Sequence, residues 1–296
     1  MNERLFARLA ERLAVAPAVL ASVIATRGAT PRKTGARMLV SALGTDFTIG
    51  GGLAEARVIA AATTLLGATT RSASVAIDLT GGADAAGVCG GRMEIALRRW
   101  DMDDRPRAAA IAAALTAGEP FELGGDDVGD GRGAVRIEPD ARLVIVGGGH
   151  CGLALYEMAR LLDLELWVYD ARPEFANATN FPDATTLSGT LDALRAALDT
   201  RRDLYIVLLN RDFASDVATL RVIAGHRCAF LGMMGSARRI RQVLDALSPE
   251  QSQQLSQLQA PVGVPIGAQT PHEIAVSVLA HLIQARAQAS HAGVRA

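Results

Sequence analysis

Lysine is nearly absent from this sequence: Lys33 is the only one, although lysine and arginine together number 30. Lysine chemistry, such as a Schiff base or acid–base catalysis, therefore has a single candidate residue. Because arginine is so abundant, no arginine counts as a phosphate ligand on its identity alone. The basic residues are balanced by 31 acidic ones, which argues against nucleic-acid and membrane partners, since both select for a strong basic patch.

Cysteine and aromatic residues are also scarce. The three cysteines, Cys89, Cys151 and Cys228, form no C-x-x-C pair, which argues against a structural zinc site and a disulfide framework. Aromatic residues make up 4% of the chain, too few for platforms on which nucleic-acid bases stack. A reducing cytoplasm is the expected location.

The sequence has no long hydrophobic run near its start. The uncharged stretch 13–26 is interrupted by Pro17 and is too short to span a bilayer. Before it, Leu5, Leu9 and Leu13 recur at helical spacing among charged residues. This spacing predicts an amphipathic helix rather than a signal peptide.

Residues 1–120 mix strand and helix patterns. The strand patterns are V-L-A-S-V-I-A-T, R-M-L-V-S, F-T-I, S-V-A-I-D-L-T and R-M-E-I-A-L-R-R-W, with helical segments after I-G-G-G and over 106–118. They predict an N-terminal mixed α/β domain with Gly-rich loops. The acidic, Gly-dense stretch 124–133 has no periodicity, so we predict a linker or exposed hairpin over 121–141.

Residues 142–296 alternate between short apolar strands and helices. The strands R-L-V-I-V, E-L-W-V-Y-D, L-Y-I-V-L-L-N and C-A-F-L-G are separated by helical segments, and a last helix is predicted over 271–286. This alternation is typical of a parallel, doubly wound sheet. The sequence therefore predicts an α/β protein with a C-terminal Rossmann-like domain.

The loop V-I-V-G-G-G-H-C-G has the pattern of a phosphate-binding turn. Gly147, Gly149 and Gly152 give G-x-G-x-x-G directly after a predicted strand and before a predicted helix. Such glycines allow a tight turn, close backbone approach to a phosphate and close packing of helix on strand. The helix N-terminus then offers N–H groups to an anion. A strand–helix turn that binds nothing is the alternative.

Three side chains near this loop are further candidates. Asp170 ends the next strand and can accept a hydrogen bond from a diol, or cap a loop. His150 can donate to a phosphate, act as a titrating group, or merely cap the helix N-terminus. Cys151 is either a reactive thiol at a helix N-terminus or a small buried residue.

A nicotinamide-dependent oxidoreductase, binding NAD(P) at this loop, is one hypothesis. Such an enzyme needs an acid–base group near the hydride acceptor, and the sequence offers no recognisable His-Asp or Tyr-Lys set. A regulatory binding module without chemistry is another hypothesis. The glycines indicate an anion site and do not distinguish among these functions.

Several motifs in one order resemble the xanthine dehydrogenase accessory protein family, XdhC. In the first half they are R-G-A-T-P-R (27–32), G-A-R-M-L-V (35–40), I-G-G-G-L-A-E (49–55) and C-G-G-R-M-E (89–94). In the second half they are G-G-G-H-C-G (147–152), Y-D-A-R-P-E-F (169–175), L-G-M-M-G-S (231–236) and P-H-E-I-A-V-S (271–277). The resemblance covers nearly the whole chain.

The resemblance implies a non-catalytic chaperone for the molybdenum cofactor, or molybdopterin. Such a protein binds the cofactor, protects its sulfurated form and delivers it to an apo-molybdoenzyme such as xanthine dehydrogenase, an enzyme of purine catabolism. The implied partners are that apo-enzyme and a cysteine-desulfurase-type sulfurating protein. Relatives tend to self-associate, which makes a homodimer one candidate state and leaves the oligomeric state open.

The resemblance also directs attention to the N-terminal loops. Cys89 is the predicted metal-proximal residue, because a thiolate suits a soft, sulfur-ligated metal; an ordinary buried cysteine is the alternative. Some relatives carry cysteine where this sequence has Leu53. Glu55 and Glu94 each follow a Gly-rich loop and can bond the amino-pterin edge, or be capping or solvated residues. The loop glycines predicted to contact the cofactor are Gly51, Gly52, Gly90 and Gly91.

A second anion site is predicted in the C-terminal domain. Gly235 and Ser236 open a predicted helix, with Arg238 and Arg239 in its first turn.

Overall fold

The protein consists of two compact units, Met1–Pro139 and Asp140–Ala296. The computed structural model describes residues 1–82 and 85–293, with side chains described as far as residue 288. Within each unit, one sheet has an apolar core on both of its faces. The predicted α/β class is confirmed.

The first unit is built on an antiparallel sheet of five strands in the order β3-β2-β1-β5-β4. Its elements are α1 (Asn2–Arg12), β1 (Ala18–Arg27), β2 (Arg37–Ser41), β3 (Gly44–Phe47), α2 (Gly52–Leu66), β4 (Ser72–Asp78), β5 (Arg92–Trp100), a 3-10 helix (Met102–Asp104), α3 (Arg105–Thr116), β6 (Phe121–Leu123), α4 (Gly125–Val128) and β7 (Val135–Ile137).

Helices cover both faces of this sheet. The apolar side of α2 packs on one face, and α1 and α3 pack together on the other. The predicted amphipathic helix is α1, whose Leu5 and Leu9 are fully buried. This burial of a single apolar stripe is what the leucine spacing requires.

Strand β3 lies earlier in the chain than predicted. The pattern F-T-I suggested a strand over 47–49, but β3 ends at Phe47, whose φ is +64°. A left-handed residue interrupts an extended strand, so the following residues turn away from the sheet. Ile49 is then buried in the core beneath α2.

The segment after α3 has structure of its own. Strands β6 and β7 pair antiparallel around the short helix α4. Gly129, with φ of +82°, packs so tightly that a Cβ would lie 2.8 Å from the carbonyl oxygen of Leu97 in β5. This contact explains why residues up to Pro139 cluster with the first unit.

The second unit is built on a six-stranded parallel sheet in the order β10-β9-β8-β11-β12-β13. Its elements are β8 (Ala141–Val146), α5 (His150–Ala159), β9 (Leu164–Asp170), β10 (Thr185–Ser188), α6 (Leu191–Leu198), β11 (Leu204–Leu208), α7 (Phe213–Ile223), β12 (Phe230–Met233), α8 (Ala237–Asp245), α9 (Pro249–Gln254), β13 (Leu258–Gln259) and α10 (Pro271–Gly293).

This strand order confirms the predicted doubly wound sheet. Numbered within the unit, it is 3-2-1-4-5-6, the order of dinucleotide-binding Rossmann folds. Helices α5 and α10 cover one face, while α6, α7 and α8 cover the other. The order reverses between β8 and β11, and such a switch point opens a crevice at the carboxyl ends of the strands.

Across residues 1–82 and 85–293, no helix is both long and apolar enough to cross a lipid bilayer.

Candidate functional site

A cavity of about 570 Å³ opens where the strand order of the second unit reverses. Its walls include residues at or just after the carboxyl ends of β8, β9 and β11, among them Gly149, Asp170 and Asn210. This volume lies within the roughly 300–1,000 Å³ typical of small-molecule sites. The parallel sheet therefore places the predicted phosphate loop at the edge of a ligand-sized cavity.

Two of the three predicted loop glycines are required by the fold. Gly147 has φ of +111°, and a Cβ there would lie 2.9 Å from the backbone carbon of Leu209. A Cβ on Gly152 would overlap the carbonyl oxygen of Gly147. These glycines allow the tight turn and the close packing of α5 on β8.

Gly149 differs from its neighbours. Its φ of −72° and ψ of −169° suit any residue, and a Cβ there would meet no atom within 4 Å. It is the N-cap of α5, and no side chain caps this helix. The first N–H groups of a helix have no partner within the helix. The loop thus presents backbone donors and the positive end of the helix dipole beside open space.

Asp170 lies at the edge of this loop, as predicted, and is held by neighbouring groups. Its carboxylate accepts from the backbone N–H of Gly148 at 3.0 Å and from the backbone and guanidinium of Arg172. Burial alone would raise its pKa, but the bonds from Arg172 and Gly148 outweigh burial and lower the pKa. Asp170 is therefore held as a carboxylate.

The cavity mouth also contains His150 and Cys151. His150 is exposed, and its Nδ1 lies 3.5 Å from a guanidinium nitrogen of Arg211. Cys151 is half-buried and lines the cavity. A thiol and two cationic or titratable groups therefore lie beside the N-terminus of α5.

At the predicted second anion site, Ser236 and Arg239 make contacts within the fold. Ser236 caps α8 by accepting from the N–H of Arg239 at 3.3 Å. The Arg239 guanidinium pairs with the buried Asp216 and donates to the backbone oxygen of Asn210 at 3.0 Å. In this segment the described lining of the cavity includes Met234 but neither Gly235 nor Ser236.

In the first unit, three Gly-rich motifs meet. A Cβ on Gly28 would lie 2.9 Å from the carbonyl oxygen of Gly90, and a Cβ on Gly91 would overlap the backbone of Ala29. Gly50 packs equally closely on Pro31. The R-G-A-T-P-R loop therefore contacts both the I-G-G-G loop and the C-G-G-R loop. Gly51 and Gly52 continue the I-G-G-G loop with positive φ and begin α2.

Glu55 stabilises the start of α2. Its carboxylate accepts from the hydroxyl of Thr48 and from the N–H groups of Ile49 and Gly51, the latter two at 3.1 Å. Burial raises the pKa of Glu55, but these hydrogen bonds lower it by more, so the net shift of the pKa is downward. The capping alternative considered for Glu55 thus has direct structural support.

Cys89 is exposed, whereas Glu94 pairs with Arg132 at 3.0 Å on a half-exposed surface. Among the side chains described, those of residues 1–82 and 85–288, no three from His, Cys, Asp or Glu cluster as metal ligands would. The assignment of Cys89 as metal-proximal stays a prediction.

Both units match known families. Residues 143–282 match the XdhC Rossmann domain, and residues 12–77 match the XdhC and CoxI family. The chain belongs to the XdhC and CoxI family. This is a family of xanthine dehydrogenase accessory proteins. The cavity of the present XdhC-family chain lies within the matched Rossmann domain.

Two curated relatives resemble this XdhC-family chain at 31% and 30% identity over the aligned residues. "Uncharacterized protein YqeB" of Escherichia coli (strain K12) is 31% identical over 276 residues, covering 91% of this chain and 44% of that protein. A protein of Bacillus subtilis (strain 168), named as a probable xanthine dehydrogenase subunit, is 30% identical over 155 residues, covering 51% of this chain and 44% of that protein. The chain spans less than half the length of these curated relatives.

A solved structure shares the fold. The crystal structure of a xanthine dehydrogenase from Bacillus halodurans matches with a TM-score of 0.81 at 23% identity, covering 97% of this chain and 96% of that chain.

Among the lining residues that sequence reasoning missed are two arginines of the XdhC-family cavity, Arg172 and Arg211. Arginine is so frequent in this chain that neither stood out. Their position in the sequence could have identified them as cavity residues, because Arg172 and Arg211 each lie within three residues of the carboxyl end of a parallel strand.

Proposed function

We propose that this protein binds the molybdenum cofactor, protects its sulfurated form and delivers it to an apo-molybdoenzyme such as xanthine dehydrogenase. The observation that carries the proposal is that the fold does not require glycine at position 149, where the backbone angles are ordinary and a Cβ would meet no atom. The missing side chain of Gly149 leaves the uncapped N-terminus of α5 accessible to a ligand in the cavity. Family membership supports a link to xanthine dehydrogenase.

The chemistry of the cavity fits this cofactor. The molybdenum cofactor carries a phosphate and a soft, sulfur-ligated metal. The N–H groups of α5 suit the phosphate, and Cys151, in the same cavity, suits the soft metal or its sulfur. When bound, the cofactor supplies the molybdenum centre that the recipient enzyme uses. The roles of this chain are to hold the phosphate and to shield the sulfur from water.

The proposal includes a role for the first unit. Cys89 is exposed among Gly-rich loops, so its thiol is open to a metal or to the sulfur on it. We assign Cys89 as metal-proximal there, and Cys151 as the thiol of the cavity. An apo-molybdoenzyme, a cysteine-desulfurase-type protein and a second copy of this chain are the proposed partners.

Activation of a recipient enzyme tests the proposal. Protein purified from a molybdenum-replete host is mixed with apo-xanthine dehydrogenase, and xanthine oxidation is followed. We expect activity in proportion to the added protein, and less with Cys89→Ala or Cys151→Ala. Free cofactor released from a denatured molybdoenzyme is the positive control. Activation by free cofactor but not by this protein would contradict delivery. Full activation by Cys89→Ala would remove that residue's assignment.

A further inference from the structure

We propose that Arg172 is a specificity-determining residue, which withholds Asp170 from a free ribose diol and so disfavours NAD in this Rossmann cavity. The inference concerns the same cavity as the proposed function and rests on it only in naming the ligand. Its evidence is the set of contacts around one carboxylate.

Asp170 lies where Rossmann folds place a ribose-binding acid. It ends β9, the second strand of the sheet, beside the Gly-rich loop that follows the first. In dinucleotide-binding proteins an acid at this position accepts a hydrogen bond from the ribose hydroxyls. Such an acid must have lone pairs directed at the ligand.

The acceptor positions of Asp170 are already filled. Oδ1 accepts from the backbone N–H of Arg172 at 3.0 Å and from its Nε at 2.9 Å. Oδ2 accepts from the N–H of Gly148 at 3.0 Å and from Nη2 of Arg172 at 2.9 Å. A carboxylate has about four lone-pair sites. A diol therefore reaches Asp170 only by displacing a donor.

The side chain of Arg172 is fixed in this position. Its guanidinium binds Asp170 through two parallel N–H bonds, the strongest arrangement of this pair, and stacks 3.9 Å over the ring of Phe175. The carbonyl of Phe175 contacts Gly148 so closely that a Cβ on that glycine would overlap it. The turn that carries Arg172 is thus packed against the phosphate loop.

The same contacts indicate which ligands the cavity accepts. A guanidinium has five N–H donors, and two of them bind Asp170. The side chain of Arg172 is 58% exposed and lines the cavity, so it offers the ligand donors where Asp170 would have offered acceptors. The cavity therefore favours a phosphate group over a free ribose diol at this position. Among forms of the proposed cofactor, it favours the monophosphate over a nucleotide-extended form.

Calorimetric titration with NAD⁺ tests the role of Arg172. We expect wild-type protein to bind NAD⁺ at least tenfold more weakly than Arg172→Ala. That substitution removes the guanidinium, and with it one hydrogen bond to each oxygen of Asp170. Arg211→Ala removes an equal charge from the same cavity without touching Asp170, and should give no such gain. The double variant Arg172→Ala/Asp170→Asn should return to weak binding. Arg172→Gln, tested by the same titration, replaces Arg172→Ala if the latter melts early.

Two results would overturn the inference: wild-type protein that binds NAD⁺ as tightly as Arg172→Ala, or a gain that persists in the double variant. The outcome is separate from the proposed function. If Arg172→Ala gains NAD⁺ affinity but the wild-type protein activates no molybdoenzyme, the specificity role stands and cofactor delivery fails.

Discussion

At the scale of single residues, the loop between β8 and α5 contains two kinds of glycine: two that the backbone packing requires, and one that faces the cavity. Gly147 and Gly152 are fixed by backbone contacts, whereas Gly149 has ordinary angles and empty surroundings. The glycine pattern in the sequence could predict the turn, but only the structure shows which glycines are required by packing and which one leaves space for a ligand.

Gly149→Ser should separate stability from binding. Serine is a better N-cap than glycine, so we expect the free energy of unfolding to stay level or rise by a few tenths of a kcal/mol. The new hydroxyl would occupy the donors of α5, and the pterin content of the purified protein should fall at least tenfold. Urea denaturation and pterin fluorescence measure the two effects.

Gly152→Ser is the matched control, since its side chain would overlap the carbonyl of Gly147. We expect it to destabilise the protein by about 1–3 kcal/mol. If Gly149→Ser kept its pterin, the N-terminus of α5 would not be the phosphate site.

Asp170 should contribute to stability in a pH-dependent way. Its pKa is lowered in the folded protein relative to the ordinary value of 3.8. Its contribution is therefore present above that value and is lost as the pH falls through the folded pKa. Asp170→Asn should cost roughly 1–3 kcal/mol at neutral pH, and this difference should shrink below about pH 4. Denaturation at several pH values would show it, and a difference that grew on acidification would contradict this assignment.

At the scale of secondary-structure elements, Arg239 connects α8 to α7 and to the loop after β11. It pairs with Asp216, which is 1% exposed, and bonds the backbone of Asn210 and Asp212. Burial raises the pKa of Asp216, and the bonds from Arg239 oppose that rise. Arg239, one of the two arginines of the predicted second anion site, thus holds one wall of the cavity.

Arg239→Met should destabilise the second unit by roughly 3–5 kcal/mol at neutral pH, because it leaves a buried carboxylate without its partner. Since the raised pKa of Asp216 would rise further, protonation should recover part of the loss as the pH falls from 7 toward 4. Thermal and urea unfolding measure both effects. The exposed neighbour variant, Arg238→Met, should stay within about 0.5 kcal/mol of wild type; an equal loss there would contradict the role of the buried pair.

The elements that sequence could predict are those with a strong local pattern. The buried strands of the parallel sheet and the leucine stripe of α1 belong to this group. Strands β10 and β13 have four and two residues and are only partly buried, so hydrophobic pattern does not mark them. The end of β3 was missed because it depends on the left-handed Phe47.

At the scale of the whole molecule, the sequence predicts the fold class and the phosphate loop, but not the full set of residues around the cavity. The bond between Arg172 and Asp170 depends on the turn after β9, which no periodicity encodes. Arg172 also did not stand out in the sequence, because arginine is abundant in this chain. Folds of this kind host many functions, so the site residues rather than the sheet carry the functional argument.

The most direct test of the central claim is the small molecule that the whole protein retains. After gentle purification from a molybdenum-replete host and oxidative denaturation, we predict a fluorescent pterin derivative in near-stoichiometric amount, strongly reduced in Gly149→Ser. Protein that contains no pterin, but binds NAD(P)H tightly and changes nicotinamide absorbance with a substrate, would contradict the account.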